Sequence, residues 1–354
     1  ELVKALPESG FSKNAAKAGL RAIREGGRNM QTLSLALPRS AGLKDEDITL
    51  TKSEILALSE AVDKTGDPVR GELVYRKLEL GCVSCHAIGG AGGKVGPDLT
   101  SIGASAPLDY LVESIYYPNR KIKEGYHSLV VETKDNQVLF GMLESQSDNE
   151  LVLRNVANQR MTVAKSNIRK ETQGNSLMPS GLIDRLPRQD QIDMFSFLRQ
   201  LGKLGAFDAS KGNVARVWRL RAANHRDQQF GDGRIADGGI DRKRWAAVNS
   251  LVDGTLTDDM LKKGANAGKW VGVIGVYAGT EFELAQAGKV TLNLDGAESA
   301  KVWIDNKVVK NTGAINAELS AGKHSLVLRF DPKGLPERLR HLPRQGHSWL
   351  IEAC

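Results

Sequence analysis

Three of the 354 residues are cysteines, and two of them fall in the pentapeptide Cys82-Val83-Ser84-Cys85-His86. This spacing constrains the chain more than any other feature, and four origins compete for it. A redox dithiol of the thioredoxin kind uses Cys-x-x-Cys but sits in a strand–helix–strand setting, whereas a helical pattern precedes the motif here. A structural zinc site asks for four soft ligands; the two cysteines and His86 leave one missing, and the other histidines lie far off in sequence. Coincidence is disfavoured because two of only three cysteines share the arrangement. The fourth origin is covalent attachment of c-type haem, for which Cys-x-x-Cys-His is the signature. The two thiols add across the vinyl groups on one porphyrin edge, which places the adjacent histidine beneath the iron. One covalent haem c, with His86 as an iron ligand, is the expectation.

The length allows two or three domains, and 41% hydrophobic residues supports packed cores. No run approaches the roughly 18 apolar residues of a membrane span, so no transmembrane segment is expected. The net charge of +7 gathers mostly in the last third, around 241–244 and 338–344. A nucleic-acid surface asks for a denser basic stripe interleaved with aromatics, so no nucleic-acid partner is expected. Cys354, the third cysteine, reads as a free thiol or a cut in a longer parent chain. No nucleophile–base constellation and no phosphate loop is visible, which favours a non-enzymatic role.

Turn and cap signals divide the chain into 1–65, 66–203 and 204–354. Ser12 caps a helix through Gly26, and Thr51 with Glu54 forms a capping box before a second apolar run. Residues 1–65 therefore read as the tail of a helical repeat array. Asp67-Pro68 opens a helix that the pattern carries to Gly81. Residues 90–106 are rich in glycine and turns, and 107–117 are helical. Four short β-rich runs then predict an antiparallel insert at about 126–171. "SLMPSGL" (176–182) is a loop, and 188–203 an amphipathic closing helix. After residue 204 the pattern is β throughout, at the spacing of a β-sandwich. "DGRIADGGID" (232–241) departs from the EF-hand ligand order and reads as a loop. The fold class expected is multidomain α+β.

The stretch from about 70 to 203 resembles the haem-binding domain family of the Pirellula/Verrucomicrobium type, found in planctomycetes and their relatives. The resemblance rests on "GCVSCHAIGGAGGKVGPDLTSIG", "YLVESIYYPNRKIKEGY", "VLFGMLES" and "LMPSGL". It implies a class I-like cytochrome c domain with a β insert, closed by a first helix bearing Gly71 and a last helix bearing Phe195 and Leu198. It implies that Pro97 presents its carbonyl to the second nitrogen of His86. It implies that Met178, followed by Pro179 just before the closing helix, is the distal iron ligand, against His127 or an open site. Met30, Met142, Met161, Met194 and Met260 read as core residues. Many relatives carry a β-propeller dehydrogenase region upstream, and haem of this kind is attached outside the cytoplasm, so a periplasmic or otherwise exported protein is implied.

The function expected is a monohaem c-type cytochrome that transfers electrons to a redox partner protein, such as a dehydrogenase. The alternatives are the electron-accepting fragment of a larger sugar or alcohol dehydrogenase, and a haem sensor or peroxidase with an open distal site. Tyr116, Tyr117, Arg120, Lys121 and Lys123 are candidates for haem propionates or an acidic partner, or form a solvated helix end. The last third weakly resembles PA14-like or carbohydrate-binding β-sandwiches. A glycan or cell-surface contact there would draw on Trp218, Trp245, Trp270, Trp303 or Trp349, residues that also suit a core.

Overall fold

The computed structural model describes residues 12–26, 31–43, 50–210, 214–228, 231–237, 245–265, 272–343 and 349–350. The chain divides into two compact units: residues up to 87 with 92–203, and residues 88–91 with 204 onward. Helices dominate one and antiparallel sheets the other, so the protein is of the multidomain α+β class. Met30, Trp270 and Cys354 lie outside the described residues.

In the first unit, α1 (Lys13–Gly26) begins where Ser12 Oγ accepts from the Ala15 N–H. It packs Ala16, Leu20 and Ile23 against Leu37 of α2 (Gln31–Ser40). α2, absent from the sequence expectations, carries Pro38, a poor interior helix residue, in its last turn. α3 (Lys52–Thr65) carries its capping box: Glu54 N–H donates to Thr51 Oγ1 (3.3 Å) and Thr51 N–H to Glu54 Oε2 (2.7 Å).

α4 (Pro68–Tyr75) starts at Asp67, whose Oδ1 accepts from the N–H groups of Val69 and Arg70. It stops at Tyr75 instead of running to Gly81. Arg76 folds back onto the buried Glu72 (2.7 Å) and Lys77 reaches Asp190 (2.6 Å). A short 3-10 segment, Leu78–Leu80, then turns Leu80 inward. These ties and the burial of Leu80 offset the helical bonds forgone. There follow α5 (Cys82–Cys85), α6 (Ile102–Ser105), α7 (Leu108–Tyr116) and, after the insert, α8 (Arg188–Gln200).

α4 crosses α8 at Gly71, where any Cβ would overlap the carbonyl oxygen of Asp193. Only glycine allows the two backbones this close. Tyr75 then meets Phe197 (ring centroids 5.5 Å), and Phe195 stacks on Tyr116 (6.3 Å). The Asp193 carboxylate is buried and accepts from the Asp67 N–H (2.9 Å), Gln189 Nε2 (2.9 Å) and Arg70 Nε (3.0 Å).

The insert has five antiparallel strands, β1 (His127–Thr133), β2 (Val138–Gln146), β3 (Glu150–Arg154), β4 (Arg160–Ala164) and β5 (Ile168–Ser176), in the order β4-β3-β2-β1-β5. The sequence reading stopped at about 171 and had no fifth strand. β5 is an edge strand, "IRKETQGNS", with mostly exposed side chains and no apolar alternation; it is held through its backbone pairing to β1. Val131, Leu151, Leu153 and Val163 form the insert's core.

In the second unit β6 (Val217–Asn224), β7 (Ala246–Asn249), β8 (Thr255–Thr257), β9 (Val273–Leu284), β10 (Gly288–Asp295), β11 (Lys301–Ile304), β12 (Lys307–Val309), β13 (Ala314–Leu319), β14 (Gly322–Phe330) and β15 (Arg338–Pro343) make two sheets. Their orders are β8-β15-β10-β13 and β12-β11-β14-β9-β6-β7, with Trp349–Leu350 pairing β9. One core draws Trp218, Val276 and Leu328 from the larger sheet and Leu292 and Leu339 from the smaller. The Asp305-Asn306 turn takes left-handed angles at both residues (φ 47° and 65°), as a tight hairpin requires. The unit is not β throughout: helices at His225–Gln228, Gly231–Asp237 and Asp258–Gly264 interrupt it. The stretch read as a loop from 232 is helical to Asp237, and Asp232 accepts from Tyr277 Oη (2.9 Å). Trp218, Trp245 and Trp303 are 0%, 4% and 1% exposed. Those three indoles are core, and no sugar ring can stack on them.

Two stability dependences follow. The hydrogen bonds and charge around Asp193 outweigh its burial and hold its carboxyl below the usual carboxylate range. A depressed folded pKa stabilises at neutral pH and loses that contribution as pH falls. Asp193→Asn should therefore lower stability at pH 7 by about 1–3 kcal/mol and flatten the acid limb of helix unfolding, followed by far-UV circular dichroism. His324 behaves oppositely. Its Nδ1 meets Asp305 Oδ2 (2.6 Å) and its Nε2 the Ser320 carbonyl (2.9 Å), both acceptors, so the charged ring satisfies both contacts. Burial opposes the charge, but these bonds and the Asp305 carboxylate raise the pKa. This stabilisation is present below the ordinary histidine pKa and lost as pH rises through the raised one. All five tryptophans lie beyond residue 204. Their fluorescence should report an unfolding midpoint that falls in the wild type as pH rises above the ordinary histidine pKa and through the raised one, and that varies less in His324→Gln.

Candidate functional site

A cavity of about 400 Å³ opens in the first unit. That size suits a cofactor or other small ligand. Leu80, Val95, Ile102, Leu111 and Leu198 give it mainly apolar walls. Cys82, Cys85, His86, Pro97 and Met178 all line it. His127 stands at the start of β1 and is not a wall residue.

His86 is set by the backbone around it. Its Nδ1 lies 2.7 Å from the Pro97 carbonyl oxygen. A carbonyl only accepts, so Nδ1 carries the proton and Nε2 keeps its lone pair. Burial lowers the pKa of His86, opposed by the Pro97 bond and the charge of Asp98, and so favours the neutral ring. The glycine-rich loop makes the close fit. Gly93 N–H donates to the Val83 carbonyl (2.9 Å) and Gly96 N–H to that of Cys85 (2.8 Å). A Cβ on Gly93 would overlap the Ser84 carbonyl, and one on Gly96 would lie inside contact distance of the His86 ring.

Burial pushes the Cys82 thiol up to about 11 and raises that of Cys85 as well. A redox dithiol needs a lowered pKa, so the environment argues against the thioredoxin-like origin. Among the described residues no group of three or more His, Cys, Asp or Glu side chains is placed to hold a metal ion. Tyr75, 3% exposed, also lines the cavity; its hydroxyl has no hydrogen-bond partner among the described residues, and burial raises its pKa.

The Met178 loop is tied at both ends. The Ser176 N–H donates to Asn119 Oδ1 (3.0 Å), and the Met178 N–H to Ser176 Oγ (3.1 Å). At the far end the fully buried Gln191 donates through Nε2 to the carbonyls of Ile183 (3.1 Å) and Leu186 (3.0 Å). Tyr116 Oη donates to Gln191 Oε1 (2.7 Å). The sequence reading missed Gln191. Its signal was its place on the apolar stripe of α8 with Phe195 and Leu198, where a lone amide must find partners.

Tyr116 and Tyr117 are buried, and Tyr117 Oη accepts from the Leu50 N–H. Lys121 and Lys123 do line the cavity. Glu113 pairs with both Arg120 (3.5 Å) and Lys121 (3.4 Å), while Lys123 stands 5.8 Å from the Tyr126 ring. Met194, read as core, is 1% exposed and is also a cavity wall. The arrangement gathers an imidazole nitrogen, a thioether and two thiols around one apolar space.

No family model matches the chain, and no curated protein matches it. Among solved structures, an anti-sigma factor domain-containing protein is similar over 64% of this chain and 76% of that chain, at 13% identity and a TM-score of 0.23. A likeness that low transfers neither fold nor function.

Gln191→Leu should free the Met178 loop. The carbonyls of Ile183 and Leu186 lose the Gln191 donor and the Tyr116 hydroxyl loses one acceptor, at a cost of about 1–3 kcal/mol. Hydrogen exchange should accelerate over 177–187 while the second unit is unchanged.

Proposed function

We propose that residues 66–203 are a c-type cytochrome domain of the kind the sequence resembles. Cys82 and Cys85 would attach one haem c, and His86 and Met178 would ligate its iron. The observation that carries this reading is that Cys82, Cys85, His86, Pro97 and Met178 line one apolar cavity.

The residues fit such a group. His86 has its Nδ1 proton committed to Pro97 and its Nε2 lone pair uncommitted by that bond, as a neutral axial ligand requires. The glycines at 93 and 96 leave no room for side chains beside the motif. The orphan hydroxyl of Tyr75 in the cavity wall is a donor in want of an acceptor. When bound, haem supplies a one-electron Fe(III)/Fe(II) couple. The apolar walls exclude water and disfavour additional charge in the space they enclose. The thioether of Met178, a soft ligand, favours the reduced state.

The role that follows is electron transfer to or from a redox partner protein, such as a dehydrogenase, in the periplasm or another exported location. The two sheets of the second unit, which share one core, read as a β-sandwich that docks the domain to a partner, a cell surface or a glycan. With three indoles buried, glycan contact would rest on other side chains.

The test is an absorption spectrum with a pyridine haemochrome assay on protein produced with c-type haem attachment. One haem c per chain in a low-spin, six-coordinate state is expected. Met178→Ala should lose the weak far-red band of methionine-ligated ferric iron and should bind carbon monoxide when reduced. Rapid carbon monoxide binding by the wild type would favour the open-site sensor or peroxidase, and a chain without haem would sink the proposal.

A further inference from the structure

The cytochrome reading gives the cavity a function but leaves the five-stranded insert without one. The insert touches both loops that supply the proposed ligands. On one side, the hairpin turn between β3 and β4 meets the loop that carries His86 and Pro97. Asn158, in the left-handed region (φ 61°), accepts from the Lys94 N–H through Oδ1 (3.2 Å). Lys94 lies between Gly93 and Gly96, whose N–H groups are bonded to the carbonyls of Val83 and Cys85. The turn is stiff. Arg154, 9% exposed, donates to both the carbonyl and the Oδ1 of Asn158 (3.1 Å each) and pairs with Glu144 (2.8 Å). Asn155 Oδ1 accepts from the N–H groups of Ala157 and Gln159 (3.0 Å each). Val156, in the same turn, is a wall of the cavity although 57% exposed.

On the other side, β5 ends at Ser176, whose Oγ holds the Met178 N–H. The strand register joins the two sides. Arg154 stands opposite Met142, Met142 opposite Ser128, and the neighbouring His127 opposite Ser176. The Asn158 turn and the Met178 loop therefore leave the sheet from neighbouring rows, three strand spacings apart, about 14 Å. Hydrogen-bonded strands keep that spacing.

We propose that the insert is a brace that holds the two ligand loops at a set separation, with Asn158 as the positioning residue that ties its hairpin to the His86 loop. The ligand roles rest on the cytochrome reading; the brace itself is a property of the fold. With the tie cut, the His86 loop and the Val156 wall move independently of the Met178 loop, and small molecules reach the distal side faster.

The test compares the full chain with Asn158→Gly, which keeps the left-handed backbone and removes the acceptor, and Asn158→Asp, which keeps the acceptor. Hydrogen exchange is followed in peptides covering 83–98 and 176–187. Asn158→Gly should speed exchange in both by about two- to tenfold, the loss of one hydrogen bond, and Asn158→Asp should match the wild type. In haem-loaded protein, imidazole should displace the methionine from Asn158→Gly faster by a similar factor, read as loss of the far-red band. No change in exchange, a response confined to 83–98, or equal acceleration in both variants would overturn the brace. Unchanged imidazole entry in a haem-loaded variant would also count against it. Protein lacking haem would remove the cytochrome reading, while the exchange measurement would still decide the brace.

Discussion

The contact between Gly71 and the Asp193 backbone is the constraint on which the first unit depends. Two helices far apart in sequence meet there with no side chain between them. Tyr75 is thereby placed on Phe197 and the Asp67 N–H is delivered to the Asp193 carboxylate. Because α4 leads within a few residues to Cys82 and α8 follows the Met178 loop, the crossing also brings the two halves of the cavity wall together. A larger residue at 71 would separate these helices and alter the cavity with them.

Close backbone packing recurs at the site. The glycine-rich run after the pentapeptide had no visible task in the sequence beyond making turns. In the fold, Gly93 and Gly96 lie against Ser84 and the His86 ring, so the loop both orients the imidazole and seals one side of the space. Single side chains satisfy several polar groups near this apolar region. Gln191 meets two carbonyls and a phenol, and Asn158 meets one backbone amide and a buried arginine. Each contact is individually modest; those of Gln191 are buried, where an unsatisfied group would cost most.

Legibility in the sequence followed the range of the interaction. The caps at Ser12, Thr51 and Asp67 were readable because each is made within three residues of chain. The first four insert strands were readable from their β-rich runs. β5 was not, because an exposed edge strand is held by backbone pairing to β1 and carries no apolar alternation. The end of α4 at Tyr75 was misread for a similar reason: the bond from Lys77 to Asp190 and the burial of Leu80 are tertiary. The helices of the second unit were hidden between strand-like runs, and the tryptophans offered no local sign that three of them were interior.

The sequence by itself determined the chemistry on offer: a Cys-x-x-Cys-His pentapeptide, a proline eleven residues beyond its histidine, and a methionine in a loop before the last helix. Residue types and short spacings are written in the chain. Only the tertiary structure decided that these groups surround one space, that the Pro97 carbonyl accepts a hydrogen bond from His86 Nδ1, and that the insert contacts both flanking loops. Those outcomes depend on where distant backbones can approach, and steric fit at Gly71, Gly93 and Gly96 appears only when both partners are in place.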